Sequence, residues 1–166
     1  TIGALELEGV RVNRVTELEL GEPATLVSLS DEHLVRGVIK PTLLTQLKTL
    51  GAIVVSLERT AASDITLADV AGCPGLVGVN LNGTAVTDRG VVRLVPRTEL
   101  RLLGLEATGV TDVALKCAAR FEQLELLYLG GTSIGDAGLE HVGEIRSLRG
   151  LKLNGTDIGD QGLAHL

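Results

Sequence analysis

Three histidines and two cysteines are the side chains with the widest chemical repertoire in this sequence of 166 residues. His141 and His165 are 24 residues apart, and Glu140 is the obvious third ligand for a metal beside them. Tetrahedral and octahedral sites need more ligands than these. Nucleophilic catalysis needs a serine or cysteine with a base and an orienting group, and no such constellation emerges around Cys117. We therefore expect no catalytic residue, no metal site, no cofactor and no enzymatic activity.

Residues 130–135, with the sequence GGTSIG, are similar to a phosphate-binding glycine loop. A true loop of this kind reads G-x-x-x-x-G-K-[ST], and no lysine follows Gly135. A series of evenly spaced aspartates could suggest calcium, which takes several oxygen ligands. The dense D-x-D spacing of calcium loops is missing, however, and an aspartate in a first helical turn is favoured by the helix dipole. An internal repeat explains both patterns better.

The second half of the sequence repeats with a period of 24 residues. Blocks of the form L-x-x-[VL]-x-L begin at Leu76, Leu100, Leu124 and Leu148. Downstream of the blocks lies a threonine column of Thr60, Thr84, Thr108, Thr132 and Thr156. An aspartate column follows it, made of Asp64, Asp88, Asp112, Asp136 and Asp160. A weaker block at residues 52–57 adds a first unit, so about five units lie in register and the last is truncated at Leu166.

Each unit predicts a strand, a turn and a short helix. Alternation within the block has period two, which suits a strand with one buried face. After the aspartate the apolar residues are three apart, as in Val91 and Leu94, which suits a short amphipathic helix. The residues before the aspartates are accepted N-cap types, namely Ser63, Thr87, Thr111, Gly135 and Gly159. Stacked units would share one core behind a parallel sheet.

The motif L-x-x-L-x-L-x-x-T-x-[VI]-[TG]-D-x-x-L resembles the leucine-rich repeats. It is most similar to their cysteine-containing subclass, with threonine in the cysteine column, and to bacterial repeats that use Gly-Thr there. The resemblance covers residues 52–166. It implies an α/β solenoid shaped like a horseshoe arc, with parallel strands on the concave face, short helices on the convex face and a binding role. Arg97 departs from the pattern, because its column otherwise holds Cys73, Phe121 and Ile145.

The first fifty residues are less regular. Residues 4–7 and 15–20 alternate between apolar and polar types, which predicts two strands of a hairpin. Residues 30–34 match the helix start of the repeat, and Pro41 opens a predicted helix, since proline is tolerated in a first turn. We expect residues 1–50 to form a capping hairpin and one degenerate repeat, with residues 51–166 forming the regular repeats of the same continuous domain.

The outward positions of the strands predict the functional surface. Most are small and polar, but Leu102, Leu126 and Tyr128 fall on adjacent strands. An exposed apolar cluster with a tyrosine is a plausible contact patch, although the face could also be merely solvated. The candidate partner-binding residues on the concave face are Leu102, Leu126, Tyr128, Asn80, Glu106 and Lys152.

Composition narrows the class of partner. The formal net charge is −6 and aromatic residues make up only 1% of the chain. Nucleic-acid binding depends on stacking platforms and on cations that face phosphates, so we expect no nucleic-acid partner. No run approaches the roughly 18 apolar residues of a membrane helix, so we expect no membrane span. A protein partner remains, and electrostatic steering favours a basic one.

The ends and the cysteines suggest the wider context. The first residues carry acids rather than a basic region, so we expect no signal peptide within this sequence. The sequence also lacks an initiator methionine, so we expect a processed chain or a fragment. Two widely spaced cysteines do not make a disulfide framework, which slightly favours the cytoplasm. The truncated last unit predicts an apolar end that continues in a longer array or pairs with another copy. The leading hypothesis is a protein-interaction scaffold, and the alternatives are an assembly module that stacks through this end or a regulatory domain.

Overall fold

The computed structural model describes residues 2–7, 9–15 and 23–166. Within them the strands are β1 Arg11–Val15, β2 Ala24–Ser28, β3 Leu34–Val35, β4 Val38–Ile39, β5 Ile53–Ser56, β6 Leu76–Asn80, β7 Leu102–Gly104, β8 Leu126–Tyr128 and β9 Gly150–Lys152. The helices are α1 Ile2–Leu7, α2 Pro41–Leu47, α3 Thr66–Ala71, α4 Asp88–Leu94, α5 Asp112–Ala118, α6 Asp136–Val142 and α7 Asp160–Leu163. From β5 onward strands and helices alternate, as the repeat predicts.

One sheet runs through the molecule in the order β1, β2, β5, β6, β7, β8, β9. β1 and β2 are antiparallel, and every later neighbour is parallel. From β6 to β9 each residue pairs with the residue 24 positions later, as Leu103 does with Leu127. The period of the sequence is therefore the register of the sheet. β3 and β4 form a small separate hairpin.

The main core lies between the sheet and the helices. Val79, Leu103 and Leu127 contribute from the strands, and none has exposed surface. Val91 and Leu94, three residues apart on α4, are equally buried. Full burial of a side chain such as leucine stabilises a fold by about 1.5–3 kcal/mol relative to exposure. The columns of apolar residues therefore account for much of the stability of the stack.

The two sides of the stack have different widths. Helices α3 to α7 pack side by side in chain order. Packed helices lie about 8–10 Å apart, whereas neighbouring strands are about 4.8 Å apart, so the stack bends towards its sheet. The sheet accordingly lines the concave face and the helices the convex face. None of the helices in the described ranges has the length and apolar character needed to cross a bilayer.

The threonine column closes the turn after each strand. The hydroxyl of Thr84 donates to the carbonyl oxygen of Leu81 at 2.6 Å, and the equivalent bond in the other four units measures 2.6–2.7 Å. Thr84 and Thr132 are buried, and a buried hydroxyl is costly unless it is hydrogen-bonded. Bonding three residues back allows this polar side chain to sit inside the stack.

The aspartate column links consecutive repeats. The Asp88 carboxylate accepts hydrogen bonds from the backbone N–H and from the hydroxyl of Thr111, both at 2.8 Å. Asp64 accepts the same pair of bonds from Thr87. The equivalent backbone bond recurs in the next two repeats at 2.9 and 2.7 Å. The helix dipole alone was therefore an incomplete explanation for this column, because each carboxylate also fixes the start of the following helix.

Small residues in the helices leave room for these carboxylates. A Cβ added at Gly138 would lie 2.5 Å from Oδ1 of Asp112, and one at Gly162 would lie 2.5 Å from Oδ1 of Asp136. Such distances are far below ordinary contact. Glycine inside a helix costs about 0.5–1 kcal/mol relative to alanine. A small residue at this position leaves room for the carboxylate, and alanine also suffices, because Ala114 fills the same column in α5 and both Asp88 bonds still form.

Four of the five predicted helix starts are confirmed, at Thr87, Thr111, Gly135 and Gly159. The fifth was wrong, because α3 begins at Thr66 rather than after Ser63. The hydroxyl of Thr66 accepts the backbone N–H of Ser63 at 3.0 Å and donates to the carbonyl oxygen of Gly37 at 2.5 Å. Contact with the β3–β4 turn therefore replaces the standard helix start in this unit.

The amino-terminal strands differ from the prediction. Residues 4–7 belong to helix α1, not to a strand. Of the predicted strand at 15–20, Val15 ends β1, while residues 16–20 lie outside the described residues. A hairpin does form, but it joins β1 to β2, and β2 continues the sheet towards β5. An alternation of four residues is too short to distinguish a strand from one turn of helix.

Helix α2 is confirmed, with Pro41 at its first position. The predicted helix start at 30–34 yields only a 3₁₀ turn, Asp31–His33, because Leu34 already begins β3. Asp31 still behaves like the aspartate column, since its Oδ1 accepts the backbone N–H of Ala61 at 2.6 Å. The first unit thus keeps the hydrogen bond between repeats without the regular helix.

Arg97 occupies a column of core residues, but its side chain makes a hydrogen bond there instead of packing into the core. Its Nε donates to the backbone carbonyl of Ala71, at the end of α3. The side chain remains partly exposed, whereas Cys73 and Phe121 in the same column are fully buried. The guanidinium thereby links two repeats at a position where the other units pack an apolar group.

Candidate functional site

Two rows of side chains cross the concave face. The first, the apolar row, aligns Val54, Gly78, Leu102, Leu126 and Gly150. The second, the polar row, aligns Ser56, Asn80, Gly104, Tyr128 and Lys152. Neighbouring members of each row are 24 residues apart, so both rows follow the period of the repeat. The outward surface can therefore be described row by row.

The apolar row forms a second core rather than an exposed patch. Leu102 and Leu126 are only 5% and 4% exposed, so the expectation of an accessible leucine cluster was wrong. They pack with Val54 and Ala24 on the concave side of the sheet. A Cβ on Gly150 would lie 2.7 Å from Cδ2 of Leu126, which shows that this leucine lies over the neighbouring glycine. Bending towards the sheet brings neighbouring members of the apolar row together, and its glycines make room for the larger side chains.

Tyr128 connects the second core to the polar row. Its side chain is half-buried against the apolar row. The Nζ atom of Lys152 lies 4.4 Å from the centroid of its ring, within the range of a cation–π interaction. Lys152 itself is exposed on β9. The ring therefore offers an aromatic face that already accommodates an ammonium group.

Two asparagines orient the carboxylates at the ends of the strands. Asn80 Nδ2 donates to Oε2 of Glu58 at 3.3 Å, and Asn82 Nδ2 donates to Oε2 of Glu106 at 2.8 Å. The backbone N–H of Glu106 returns a bond to Oδ1 of Asn82 at 2.9 Å. Asn80 also accepts the backbone N–H of Asn82 at 3.0 Å. This network fixes the direction of both carboxylates before any partner arrives.

These side chains share one open groove, which we name the concave groove. Its lining includes Ser28, Ser56, Glu58, Asn80, Asn82, Leu102, Glu106, Tyr128 and Lys152. The structure thus brings together five of the six candidate residues, while Leu126 belongs to the second core. Gly130 leaves space for the Glu106 side chain, because a Cβ at this position would lie 3.1 Å from Oε1 of Glu106. Glu58 and Asn82 were absent from the predicted set, although the same 24-residue column contains Glu106.

Comparison with known proteins identifies the architecture. No family model matches the sequence, and no curated protein is significantly similar to it. Among solved structures, the Arabidopsis receptor kinase HAESA, in complex with the peptide hormone IDA and the co-receptor SERK1, is 22% identical with a TM-score of 0.55. That match covers 85% of this chain but only 24% of the receptor chain. The leucine-rich repeat ectodomain of the receptor kinase SOBIR1 from Arabidopsis thaliana is 18% identical, with a TM-score of 0.51, over 95% of this chain and 91% of that one.

The chain has a leucine-rich repeat fold. Its 24-residue period, the parallel sheet in the same register and the helices on the opposite side agree with the resemblance seen in the motif.

A charged ladder lies where the strands of this leucine-rich repeat sheet begin. Nε and Nη2 of Arg101 donate to Oε1 of Glu125 at 2.8 and 2.5 Å. Both side chains are largely buried, and Nε of the exposed Arg149 lies 3.9 Å from the other carboxylate oxygen. The sequence reasoning missed this ladder. Its signal was present, because the signs of charge alternate along one 24-residue column.

No histidine or cysteine of the described residues lines the concave groove, although His33 lines an adjoining pocket that shares Ser56 and Glu58 with it. Nδ1 of His141 is 3.7 Å from a carboxylate oxygen of Glu144, rather than approaching Glu140. Across the described ranges, no three His, Cys, Asp or Glu side chains are grouped as a metal site requires. Cys73 and Cys117 are both free thiols. Burial raises the pKa of the Cys73 thiol above 9.0, although the positive charges of Lys48 and Arg97 oppose the shift.

Proposed function

We propose that this leucine-rich repeat chain is a non-catalytic scaffold for protein–protein interaction, and that its partner binds in the concave groove. The carrying observation is the network of Asn80, Asn82 and Glu106 beside the half-buried ring of Tyr128. Tyrosine combines a large apolar surface with a polar tip, which suits a contact residue. The neighbouring asparagine and glutamate groups would supply directional hydrogen bonds.

Preorganisation supports this role. Ordering side chains at an interface costs about 0.5–1.5 kcal/mol for each flexible side chain that becomes immobile. Hydrogen bonds already fix Glu106 and Asn82, and the second core supports Tyr128 from below. Much of that cost is therefore met during folding. The structure of HAESA was solved with a bound peptide hormone, which is consistent with a binding role for the shared fold.

Capture of partners by matched surface variants tests the proposal. The immobilised wild-type protein and the double variant Asn80→Ala/Tyr128→Ala would be exposed to extract of the source organism, with bound proteins quantified by mass spectrometry. The control is Arg89→Ala/Lys116→Ala, which changes exposed side chains on the convex helices. Selective loss with the concave variant supports the proposal. Equal capture by all three proteins, or loss with the convex variant alone, contradicts it.

A second candidate function is assembly through the last repeat. Leu163 and Leu166 are 51% and 61% exposed, and β9 is the last strand of the sheet among the described residues. An edge strand of this kind can pair with another chain. Together they favour self-association through this end. Light scattering over a range of protein concentrations tests it: a rising mass supports assembly, and a constant monomer mass excludes it.

A further inference from the structure

We propose that the concave groove selects a basic partner segment by binding one lysine or arginine side chain between Glu106 and Tyr128. This inference rests on the proposed function and adds the chemistry of the partner. It begins with the electrostatic state of Glu106. Asn82, which is a neutral donor, holds Oε2 of this carboxylate at 2.8 Å. Its negative charge is therefore oriented by a hydrogen bond that does not neutralise it.

The other carboxylate of the concave groove, Glu58, and the carboxylate of the charged ladder, Glu125, have basic neighbours. Glu58 has Arg59 at 3.8 Å, and Glu125 has Arg101 and Arg149. Among the described residues, no ion pair involves Glu106. Glu106 is also half-buried, and desolvation strengthens the preference of a charged group for an opposite charge. It is thus the carboxylate in the groove best suited to receive an external cation.

Tyr128 supplies the second half of the site. Glu106 lies close to Gly130, which follows Tyr128 by two residues in the turn after β8. Two residues along a strand span about 6.6–6.8 Å. One long cationic side chain can therefore cross the ring face and reach the carboxylate. The glycines at 104 and 130 keep the floor low, because a Cβ at Gly104 would approach the side-chain oxygens of Asn82 and Asn80 to 2.9 and 3.0 Å.

Lys152 shows within the same molecule that the ring accepts an ammonium group. Its Nζ lies 4.4 Å from the Tyr128 centroid, on an exposed side chain. Exposed cation–π interactions contribute only about 0.5–1 kcal/mol, so a partner cation can displace it. A cation that also reaches Glu106 gains an ion pair as well. Lys152 therefore acts as an internal competitor for the site.

The opposing effects of two charge changes test the inference. The probe is the peptide acetyl-GSGKGSG-amide, and acetyl-GSGEGSG-amide is its acidic counterpart. Each peptide is titrated into the protein at low salt, and binding is followed by NMR through the amide resonances of Gly104 and Gly130. Glu106→Gln should weaken lysine-peptide binding about three- to fivefold, because a glutamine oxygen can still accept from Asn82 but carries no charge. Lys152→Gln should strengthen binding about two- to threefold, because it removes the competitor.

Matched controls separate a local site from the overall charge. Glu140→Gln and Lys116→Gln make the same charge changes on exposed convex positions, and both should leave the affinity within about 1.5-fold of wild type, given screening by salt. Equal effects at Glu106 and Glu140, or equal binding of the acidic peptide, overturn the inference. If that happens while partner capture still depends on Asn80 and Tyr128, the scaffold function stands and only the basic partner is wrong.

Discussion

The carboxylate of Asp88 holds Thr111 of the following repeat through two hydrogen bonds of 2.8 Å, one from the backbone N–H and one from the hydroxyl. Asp64 and Thr87 repeat the arrangement one unit earlier. Each bond joins a helix start to the next helix start, so the convex side is connected by more than apolar packing.

Replacement of Asp88 by alanine should destabilise the protein. Two hydrogen bonds to a charged group are lost and the N-cap of α5 is left without its support, so the expected loss is about 2–4 kcal/mol. Chemical denaturation followed by circular dichroism measures it. The control is Asp157→Ala, which removes an exposed side chain and should change stability by less than about 0.5 kcal/mol. Equal losses for the two variants would show that the link between repeats carries no special energy.

Leu126→Ala tests the second core. Because Leu126 is 4% exposed and packs over Gly150, truncation should cost about 2–4 kcal/mol. Truncation of a leucine that is exposed to solvent would reduce the free energy of unfolding far less. Val113→Ala on α5 is the comparison, since Val113 is 59% exposed. A change for Leu126→Ala as small as that for Val113→Ala in the same unfolding assay would contradict the burial of the apolar row.

Cys73 predicts a dependence of stability on alkaline pH. Burial raises the pKa of its thiol above the ordinary value of 9.0, so the folded state holds this proton more tightly than the unfolded state. Its contribution is complete below pH 9.0 and is lost as the pH rises through the raised value, at up to about 1.4 kcal/mol per pH unit. Urea unfolding at pH 8 and pH 10 should show a larger decline for wild type than for Cys73→Ala. Identical declines in the two proteins would rule out this contribution.

Much of the fold could be predicted from periodicity because the 24-residue spacing is also the pairing register of β6 to β9. A side chain in a repeated column lies beside its counterpart in the next strand. The burial of one residue therefore predicts the burial of the equivalent residues in the other repeats. The first fifty residues lack this constraint. There, a short alternation at residues 4–7 predicted a strand where the structure has helix α1.

The candidate site was predictable by position but not by accessibility. Alternation placed Leu102 and Tyr128 on the correct face, yet it could not show that curvature and the neighbouring glycines bury the leucine. The role of Asp88 was hidden for a similar reason. Its partner, Thr111, lies 23 residues away, and a hydrogen bond between units leaves no signature within either unit.

Site-directed photo-crosslinking to the captured partner tests the central claim most directly. A photoreactive residue would be placed at Ser56 or Lys152 on the polar row, and at Arg89 or Glu140 on the convex helices, in otherwise wild-type protein. If the partner binds in the concave groove, the positions on the polar row should crosslink to it. The positions on the convex helices should give no crosslinks above background. Crosslinks from the convex positions with none from the polar row would contradict it.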